Sequence, residues 1–358
     1  MYFIKSGQNF YAINFIFANG FLVSRNSPQL PHLVEHLIMD SQEIREIKSE
    51  SAIVNAHTND VRMTFEMTCL AEDFAKNCEL FLRAFERISI NNFAKNLEIV
   101  KNELKTVSPR RILFENTASE ISPKDLVSHE AHIESLEEIA EEKAKDFWRD
   151  NFAKNQMKIV YSGPKEIEIL KTIMIKEGNF SRKNIKISKM ESEKSLEIGK
   201  NISATTKIFV KKIEIKTLRE KVLLDLLLKI TVDRFREKLR KDGLIYAIWN
   251  SDFMNFSDEY ILFEFHFRSQ NEKIQGILKN INFREILKEI DKITDEEFIN
   301  FRKKYELNFR VNQQTETQKI NFINSQIFAK YDVNPPEKYI ENVHEIDLVE
   351  LKNFAKKI

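Results

Sequence analysis

The second half of the chain repeats short stretches of the first half at a nearly constant offset. The stretch NFAKNLEIVKNEL at 92–104 resembles EEFINFRKKYEL at 296–307, and the alignment places Glu103 opposite Glu306. The tetrapeptide NFAK that begins at Asn151 recurs from Asn353, displaced by almost the same number of residues. Two matches that agree on one offset indicate a tandem duplication. They predict two homologous domains, because 358 residues suffice for two separate cores.

Strands and long helices are interspersed along the chain without regular β-α-β alternation. Apolar periodicity predicts strands at 10–17, 62–69 and 157–161, and helices at 73–88, 92–107 and 135–151. This pattern favours an α+β sandwich over a doubly wound parallel sheet. A polar, charge-rich stretch at 176–200 predicts a linker, which divides the chain into domains 1–175 and 201–358.

The same offset makes a prediction about the second sheet. The counterpart of the strand at 157–161 would fall beyond Ile358, so the second domain is expected to lack its final strand. Unpaired backbone groups at a sheet edge invite association unless the edge is shortened, covered or paired. Residues 176–200 or a partner subunit are the expected cover.

The charge balance excludes several classes of function. The chain has 56 Lys and Arg against 55 Asp and Glu, so no net positive field favours nucleic acid. The longest apolar runs, such as Val222 to Leu228, are too short to span a bilayer, so no membrane partner is expected. There are only two cysteines, and the first residues do not resemble a signal peptide. These features predict a cytoplasmic protein.

The pentapeptide HLVEH at 32–36 is a candidate metal-binding motif. It follows Pro31, a residue common in the first turn of a helix. Residues four apart leave the same face of a helix, so His32 and His36 can bind one metal ion together. Glu35 lies between them, close enough to contact a metal-associated water without being a ligand. A catalytic zinc needs three protein ligands and an open position, so one ligand must come from elsewhere.

The predicted helix at 92–107 can supply the third ligand. Glu103 lies at the edge of the apolar stripe of this helix, which consists of Phe93, Leu97, Val100, Leu104 and Val107. From there its carboxylate can reach a metal on a neighbouring helix. Without the histidine pair, Glu103 would be interpreted as an ordinary solvated helix glutamate.

With these motifs the chain resembles the pitrilysin/insulinase (M16) family of zinc peptidases, which carries HxxEH, the inverse of the HExxH order. The resemblance is to its single-unit subfamily, which includes mitochondrial processing peptidase. Other similar segments follow in the family's order: NAHT at 55–58 with Thr64-Phe65, VKNEL at 100–104, the run 133–163, and FREKLRKDGLIY at 235–246. Together they extend over nearly the whole chain.

The resemblance implies a zinc-dependent endopeptidase made of two homologous α/β sandwich domains, each an antiparallel-rich sheet packed with helices. It implies one Zn²⁺ per chain, bound by His32, His36 and Glu103. It implies that Glu35 is the general base that takes a proton from the attacking water.

The resemblance also implies where substrate binds. The strand that contains Asn55 and Ala56 would pair its edge with the substrate backbone. An arginine and Tyr246 of the second domain would contact substrate at the active site. The register of the family's arginine falls on a leucine here, so Arg240 is the first choice and Arg236 the reserve.

One further departure concerns the residue seven positions before the third ligand. The family often has a glutamate there, and this chain has Asn96. An amide can form hydrogen bonds but adds no negative charge, so weaker tuning of the metal site is expected. The other five histidines lack a catalytic interpretation. His57 can line the cleft, His129 and His132 are expected in a solvated loop or helix start, His266 is expected in the core or at the surface, and no feature assigns a role to His344.

The resemblance leaves three functional hypotheses open. The first is a peptidase that acts on peptides or unfolded segments as a homodimer, in which the zinc site of one protomer faces the second domain of the other. The second is one subunit of a heterodimer that matures a specific precursor peptide, with the partner supplying the arginine and tyrosine. The third is a catalytically silent scaffold subunit, which the retained HxxEH motif argues against.

Overall fold

The computed structural model describes residues 1–24, 26–49, 52–152, 157–168, 170, 185–200, 202–241, 247–253, 260–269 and 282–358. Within these ranges the chain forms two separate sheets and many helices. The fold is a mixed α/β fold with antiparallel-rich sheets, which confirms the predicted class. No helix in the described ranges is long and apolar enough to cross a bilayer.

The first sheet is built from β1 (Tyr2–Lys5), β2 (Phe10–Phe17), β3 (Ile53–Thr58), β4 (Met63–Leu70) and β5 (Met157–Gly163). Their order across the sheet is β1-β5-β2-β4-β3, with β1 parallel to β5 and the other neighbours antiparallel. The central strand β2 is buried along nearly its whole length, which explains its continuous apolar sequence FYAINFIF. Strand β3 lies at one edge of the sheet.

The second sheet is built from β6 (Glu191–Gly199), β7 (Ile202–Lys212), β8 (Ala247–Phe253) and β9 (Tyr260–Ser269). Their order is β6-β7-β9-β8, and all neighbours are antiparallel. The run β7-β9-β8 repeats the strand order of β2-β4-β3 in the first sheet. This repetition agrees with the tandem duplication predicted from the sequence.

The helices predicted at 73–88 and 92–107 are present as Phe74–Glu86 and Phe93–Lys105, but the third predicted helix is not continuous. The predicted helix at 135–151 is broken into a short 3-10 helix, Leu136–Glu138, and an α-helix that begins only at Glu141. The α-helices are α1 (Leu30–Met39), α2 (Gln42–Ser49), α3 (Phe74–Glu86), α4 (Phe93–Lys105), α5 (Pro109–Ile121), α6 (His129–Ser135), α7 (Glu141–Asn151), α8 (Leu218–Lys241), α9 (Phe283–Leu287), α10 (Asp295–Val311), α11 (Glu316–Gln326), α12 (Pro336–Glu345) and α13 (Leu348–Lys357).

Aromatic rings dominate the core between the first sheet and its helices. Phe17 and Phe65 of the sheet pack edge to face on Phe85 of α3, each with its ring centroid 5.0 Å from that of Phe85. Edge-to-face packing adds about 0.5–1.5 kcal/mol per pair to the burial of the ring area. This core holds α1 and α3 on one face of the sheet.

Part of the predicted linker is a strand. Residues 191–199 form β6, which pairs with β7 in the position that β5 occupies beside β2 in the first sheet. Among the described residues, no strand of the second sheet follows β9, as the offset between the repeats predicts. Strand β6, which belongs to the 176–200 segment, therefore covers the edge of β7 that would otherwise be unpaired. This segment is one of the two covers expected from the sequence.

The two compact units of the structure do not coincide with the predicted domains 1–175 and 201–358, because each unit contains segments from both halves of the chain. One unit consists of 1–107, 127–183 and 316–324, and the other of 108–126, 184–315 and 325–358. Thus α5 belongs to the unit of the second sheet, and most of α11 to the unit of the first. Periodicity shows that a helix has an apolar face but not which sheet that face will cover, so the sequence did not predict this exchange.

Candidate metal centre

Helix α1 presents its two histidines on the side away from the core. Leu33, Val34 and Leu37 are fully buried against the first sheet and its helices. His32 and His36 lie on the other side of the helix and are partly buried. Their Nε2 atoms are 3.2 Å apart, which is the one-turn geometry that the HLVEH spacing predicts.

Helix α4 brings Glu103 to this pair. Its buried side chains Phe93, Val100 and Leu104 pack toward α1 and the core, and Glu103 lies at the edge of this stripe with half of its side chain exposed. The Oε2 atom of Glu103 is 3.3 Å from Nε2 of His32 and 3.4 Å from Nε2 of His36. The structure therefore brings together all three residues that were predicted as ligands.

The three donor atoms form a nearly equilateral triangle with sides of 3.2–3.4 Å. Two donors that each lie about 2.0–2.1 Å from a tetrahedral zinc are about 3.3–3.4 Å apart. The triangle therefore matches the spacing of three tetrahedral ligands. Two imidazoles and one carboxylate also form a common donor set for catalytic zinc.

The local environment favours the protonation states that metal binding requires. Burial and the neighbouring charge of His32 lower the pKa of His36 and favour its neutral form. A hydrogen bond with His32, followed by the charges of both histidines, lowers the pKa of Glu103 and keeps its carboxylate ionised. Neutral imidazole and ionised carboxylate are the forms that bind metal.

Glu35 lies beside the triangle but is held by a different partner. Its side chain is only 5% exposed, and its carboxylate lies within 4.8 Å of the donor atoms of His32 and His36. The hydroxyl of Thr58, the last residue of β3, donates a 2.5 Å hydrogen bond to Oε2 of Glu35. Burial raises the pKa of Glu35, although the charge of His32 and the Thr58 hydrogen bond partly offset this effect. A carboxylate with a raised pKa is suited to accept a proton near neutral pH.

Two residues of the site were missed by the sequence interpretation. The Nδ1 atom of His32 is 3.0 Å from Oε1 of Gln29, and Nε2 of Gln29 is 2.7 Å from Nδ1 of His132. His129 is the first residue of α6 and His132 follows in its first turn, so the expected helix start is confirmed, but both side chains are buried and not solvated. Gln29 could have been suspected because it lies one helical turn before His32. For His132 there was no signal, because its partner is about a hundred residues away in sequence.

Asn96 has a structural contact in this site. Its amide donates to Oδ2 of Asp40 at 3.3 Å, and Asn92 donates to the same oxygen at 2.6 Å. Partial burial alone would raise the pKa of Asp40, but these hydrogen bonds and the charge of Arg45 lower it. Asp40 is the C-cap residue of α1. Asn96 therefore connects α4 to the end of α1, where a glutamate in its place would face the like charge of Asp40.

Replacing Asn96 with aspartate is expected to lower the free energy of unfolding by about 1–3 kcal/mol. The substitution places a second carboxylate against Asp40 and removes the amide donor. Urea denaturation of the variant measures the loss. Asn102→Asp adds the same charge at an exposed position of α4 and serves as the control. Equal losses in the two variants would mean that the Asn96–Asp40 contact contributes nothing.

The edge strand β3 carries the residues predicted to bind substrate. Asn55 is exposed and Ala56 partly buried, and each pairs on one side with β4. Because β3 is last in the strand order, its other edge has no strand beside it among the described residues. Thr58 at the end of this strand contacts Glu35. The predicted substrate edge and the predicted base are therefore neighbours.

The second-domain residues were predicted on the resemblance alone. Arg240 is exposed near the C-terminal end of α8, and Arg236 is partly buried one turn earlier, where it forms an ion pair with Asp233. Leu239, at the family's arginine register, is a buried core residue. Tyr246 lies outside the described residues. The roles of Arg240, Arg236 and Tyr246 stay predictions.

Comparison with known proteins identifies the fold. No protein-family model and no curated protein matches the sequence. The structure resembles a protease from Helicobacter pylori with a TM-score of 0.77 at 14% identity, over 99% of this chain and 93% of that chain. It resembles the peptidase M16 inactive domain from Pseudomonas fluorescens with a TM-score of 0.77 at 13% identity, over 99% of this chain and 91% of that chain. It resembles a periplasmic protease of Escherichia coli with a TM-score of 0.73 at 12% identity, over 98% of this chain but 42% of that one.

At these identities the likeness concerns the fold. The similar structures include proteases and one M16 domain described as inactive, so they do not by themselves decide whether this chain is catalytic. The chain has the fold of M16 peptidase-like proteins.

Proposed function

We propose that this chain is a zinc-dependent endopeptidase of the single-unit, mitochondrial-processing-peptidase-like kind. The observation that carries the proposal is the triangle of His32, His36 and Glu103 donor atoms, with sides of 3.2–3.4 Å, next to the buried carboxylate of Glu35. Ion pairs and hydrogen bonds have similar distances, but two imidazoles and one carboxylate that meet at one point are the donor combination of many catalytic zinc sites. A scaffold protein has no use for a buried carboxylate beside them.

The chemistry divides between the metal and the chain's own residues. Bound zinc would polarise the scissile carbonyl and lower the pKa of a water molecule. Glu35 accepts a proton from the attacking water and later returns it to the leaving amine. Thr58 donates to Oε2 of Glu35, which orients the carboxylate and leaves the other oxygen to receive the proton.

The substrate class follows from the edge strand. An extended peptide can add to β3 by backbone hydrogen bonds alongside Asn55 and Ala56. Backbone pairing of this kind needs an extended segment, so peptides and unfolded segments fit and folded proteins do not. Thr58 connects the end of this strand to Glu35, and this contact supports the proposal that a peptide added along β3 would present a peptide bond near the base.

We further propose that the active protein is a dimer. On the family resemblance, Arg240 and Tyr246 of one protomer would contact substrate at the zinc site of the other, with Arg236 as the alternative arginine. The match to the Escherichia coli protease covers only 42% of that longer chain, which supports the idea that a second copy or a related partner completes the site. The proposed partners are peptides and such a subunit, and not nucleic acid or membrane.

Mixing two inactive variants tests whether the site is shared. Glu35→Gln protein mixed with Arg240→Ala, Tyr246→Phe protein is expected to recover part of the wild-type activity, because one of the two sites in a mixed dimer is intact. Peptide cleavage is measured after subunit exchange, which differently labelled protomers verify. No recovery despite exchange would mean that each protomer works alone or that the pair comes from another protein.

Two alternatives belong to the same fold. A heterodimer that matures one precursor peptide is supported by the displaced arginine register at Leu239. A silent scaffold is supported by the inactive domain from Pseudomonas fluorescens among the similar structures. The first alternative predicts zinc binding with activity only after a partner is added, and the second predicts no cleavage under any condition.

The deciding experiment incubates the purified protein alone with a mixed peptide library, with and without a chelator. Cleavage is read by mass spectrometry. Chelator-sensitive cleavage supports the proposed function, and its absence in the presence of bound zinc favours the heterodimer or the scaffold.

The proposed compartment is the cytoplasm. Cys69 and Cys78 are both buried and both free. Burial raises the pKa of Cys78 to about 12 and that of Cys69 to about 11, so neither thiol is reactive near neutral pH. Two unpaired, protonated thiols suit a reducing compartment.

A further inference from the structure

Gln29 lies between two imidazoles at the base of the metal centre. It is fully buried, and His132 is only 5% exposed. Oε1 of Gln29 is 3.0 Å from Nδ1 of His32, and Nε2 of Gln29 is 2.7 Å from Nδ1 of His132. The three side chains form a continuous hydrogen-bonded chain from α6, through the residue that precedes α1, to a predicted metal ligand.

The chemistry of the amide gives this series of hydrogen bonds a fixed direction from donor to acceptor. The oxygen of a glutamine side chain only accepts hydrogen bonds and its nitrogen only donates them. With the oxygen toward His32, a neutral imidazole donates from Nδ1 and has its lone pair on Nε2, the atom that lies 3.3 Å from Oε2 of Glu103 and 3.2 Å from Nε2 of His36. Without a metal, the Glu103 carboxylate competes with Gln29 for the ring proton. With the amide reversed, His32 would carry its proton on Nε2 and could not bind a metal through that atom.

The tautomer of His132 is linked to the orientation of the amide. With the nitrogen of Gln29 toward its Nδ1 atom, His132 accepts a hydrogen bond there and, when neutral, carries its ring proton on Nε2. Reversing the amide while His132 keeps this tautomer would place two acceptors against each other in a buried site, which costs about 1–3 kcal/mol for the unsatisfied group. The orientation of Gln29 and the tautomers of the two histidines therefore change together.

We propose that Gln29 and His132 are positioning residues that hold His32 in the tautomer able to bind zinc. This inference rests on the proposed function, because the tautomer of His32 matters only if His32 binds zinc. A histidine ligand generally donates its other ring N–H to a carboxylate, carbonyl or water. Here a side-chain amide supplies the acceptor, and a second histidine fixes that amide.

A rigid aromatic contact supports the two imidazoles. The ring of Phe21 packs edge to face on both, at 5.5 Å from the ring of His132 and 6.3 Å from that of His32. Phe21 is held because its backbone N–H donates to the carbonyl of Asn59 at 2.9 Å. Gly20 permits this approach, because a Cβ atom there would lie 2.2 Å from the same carbonyl oxygen. Phe21 thus restrains the two imidazole rings, and the amide of Gln29 determines which nitrogen of each ring carries the proton.

Protein NMR tests the tautomer without requiring zinc. In metal-free Glu103→Ala protein at mildly alkaline pH, no carboxylate competes for the proton at Nε2 of His32. Long-range ¹H–¹⁵N spectra of labelled histidines should then show His32 protonated on Nδ1 and His132 on Nε2. The seven histidines are assigned by single substitutions. Adding Gln29→Leu to this variant should abolish the exclusive Nδ1 protonation of His32. If His32 of the Glu103→Ala protein is protonated on Nε2, the inference is wrong.

Zinc affinity tests the consequence. Gln29→Leu and His132→Phe are each expected to weaken zinc binding by about 10–100-fold in a chelator competition, the usual effect of losing such an outer partner. Gln29→Glu keeps an acceptor toward His32 and should retain affinity close to that of the wild type. Gln42→Leu, at an exposed position of α2, controls for the loss of a glutamine.

A double variant separates positioning from simple packing. Gln29→Leu combined with His132→Phe should bind zinc no more weakly than Gln29→Leu alone, because His132 acts only through Gln29. Additive losses would mean that the two residues act independently and would overturn the inference. If the Glu103→Ala protein has the expected tautomers but the wild-type protein binds no zinc, the proposed function fails while the assignment of Gln29 and His132 stands.

Discussion

Replacing Glu35 with glutamine is expected to lower peptide hydrolysis by about 10²–10⁴-fold while zinc stays bound. The three predicted ligands are untouched, and the amide has the size of the carboxylate and can keep a hydrogen bond with Thr58. It cannot accept a proton from water near neutral pH. Steady-state cleavage of a peptide found in the library screen measures the first effect, and metal analysis after dialysis measures the second.

The matched control is Glu46→Gln, at an exposed position of α2. It removes one carboxylate from the same domain and should change neither activity nor zinc content. Loss of zinc in Glu35→Gln would make Glu35 a ligand rather than a base. Full activity in that variant would remove Glu35 from the reaction.

Replacing Glu103 with glutamine should have the opposite signature. A neutral amide is a poor zinc ligand, so zinc affinity is expected to fall by more than about 100-fold, since losing an outer partner alone costs about 10–100-fold. Activity should fall with zinc content. Competition with a chelator of known affinity gives the change, and restoring activity with excess zinc would confirm that the defect lies in binding.

Glu98→Gln is the control for this variant, because Glu98 is exposed on the same helix. Its zinc affinity should equal that of the wild type. Undiminished zinc affinity in Glu103→Gln would remove Glu103 from the metal site. The two glutamates thus differ in a measurable way: one variant keeps zinc and loses turnover, and the other loses both.

The helix that carries the HLVEH motif was predictable because its signal is local. Two histidines four residues apart on a helix face the same side whatever the rest of the chain does, and their Nε2 atoms lie 3.2 Å apart in the structure. The same holds for β2, whose apolar run predicted its bounds, Phe10–Phe17. Glu103 was assigned through the resemblance, since periodicity placed it only at the edge of an apolar stripe.

Contacts between distant parts of the chain could not be predicted from periodicity. The weaker tuning of the site that Asn96 predicts stays a prediction, but the hydrogen bond from Asn96 in α4 to Asp40 at the end of α1 was not foreseen. His132 was expected to be solvated, but it is buried against Gln29. In both cases a polar side chain found a partner that is far away in sequence, and no spacing rule connects such pairs.

The sequence by itself determined the class of fold and the helix with the two histidines, and its short repeats predicted two domains, each of which would have a similar sheet. Hydrophobic period and residue spacing act over a few turns or strand residues, so they carry this information. Only the tertiary structure decided that 108–126 and 316–324 join the opposite units, that 191–199 form a strand, and that Gln29 supports His32. Those outcomes depend on which surfaces meet when the chain folds, because burial and hydrogen bonding are satisfied between distant residues rather than within one element.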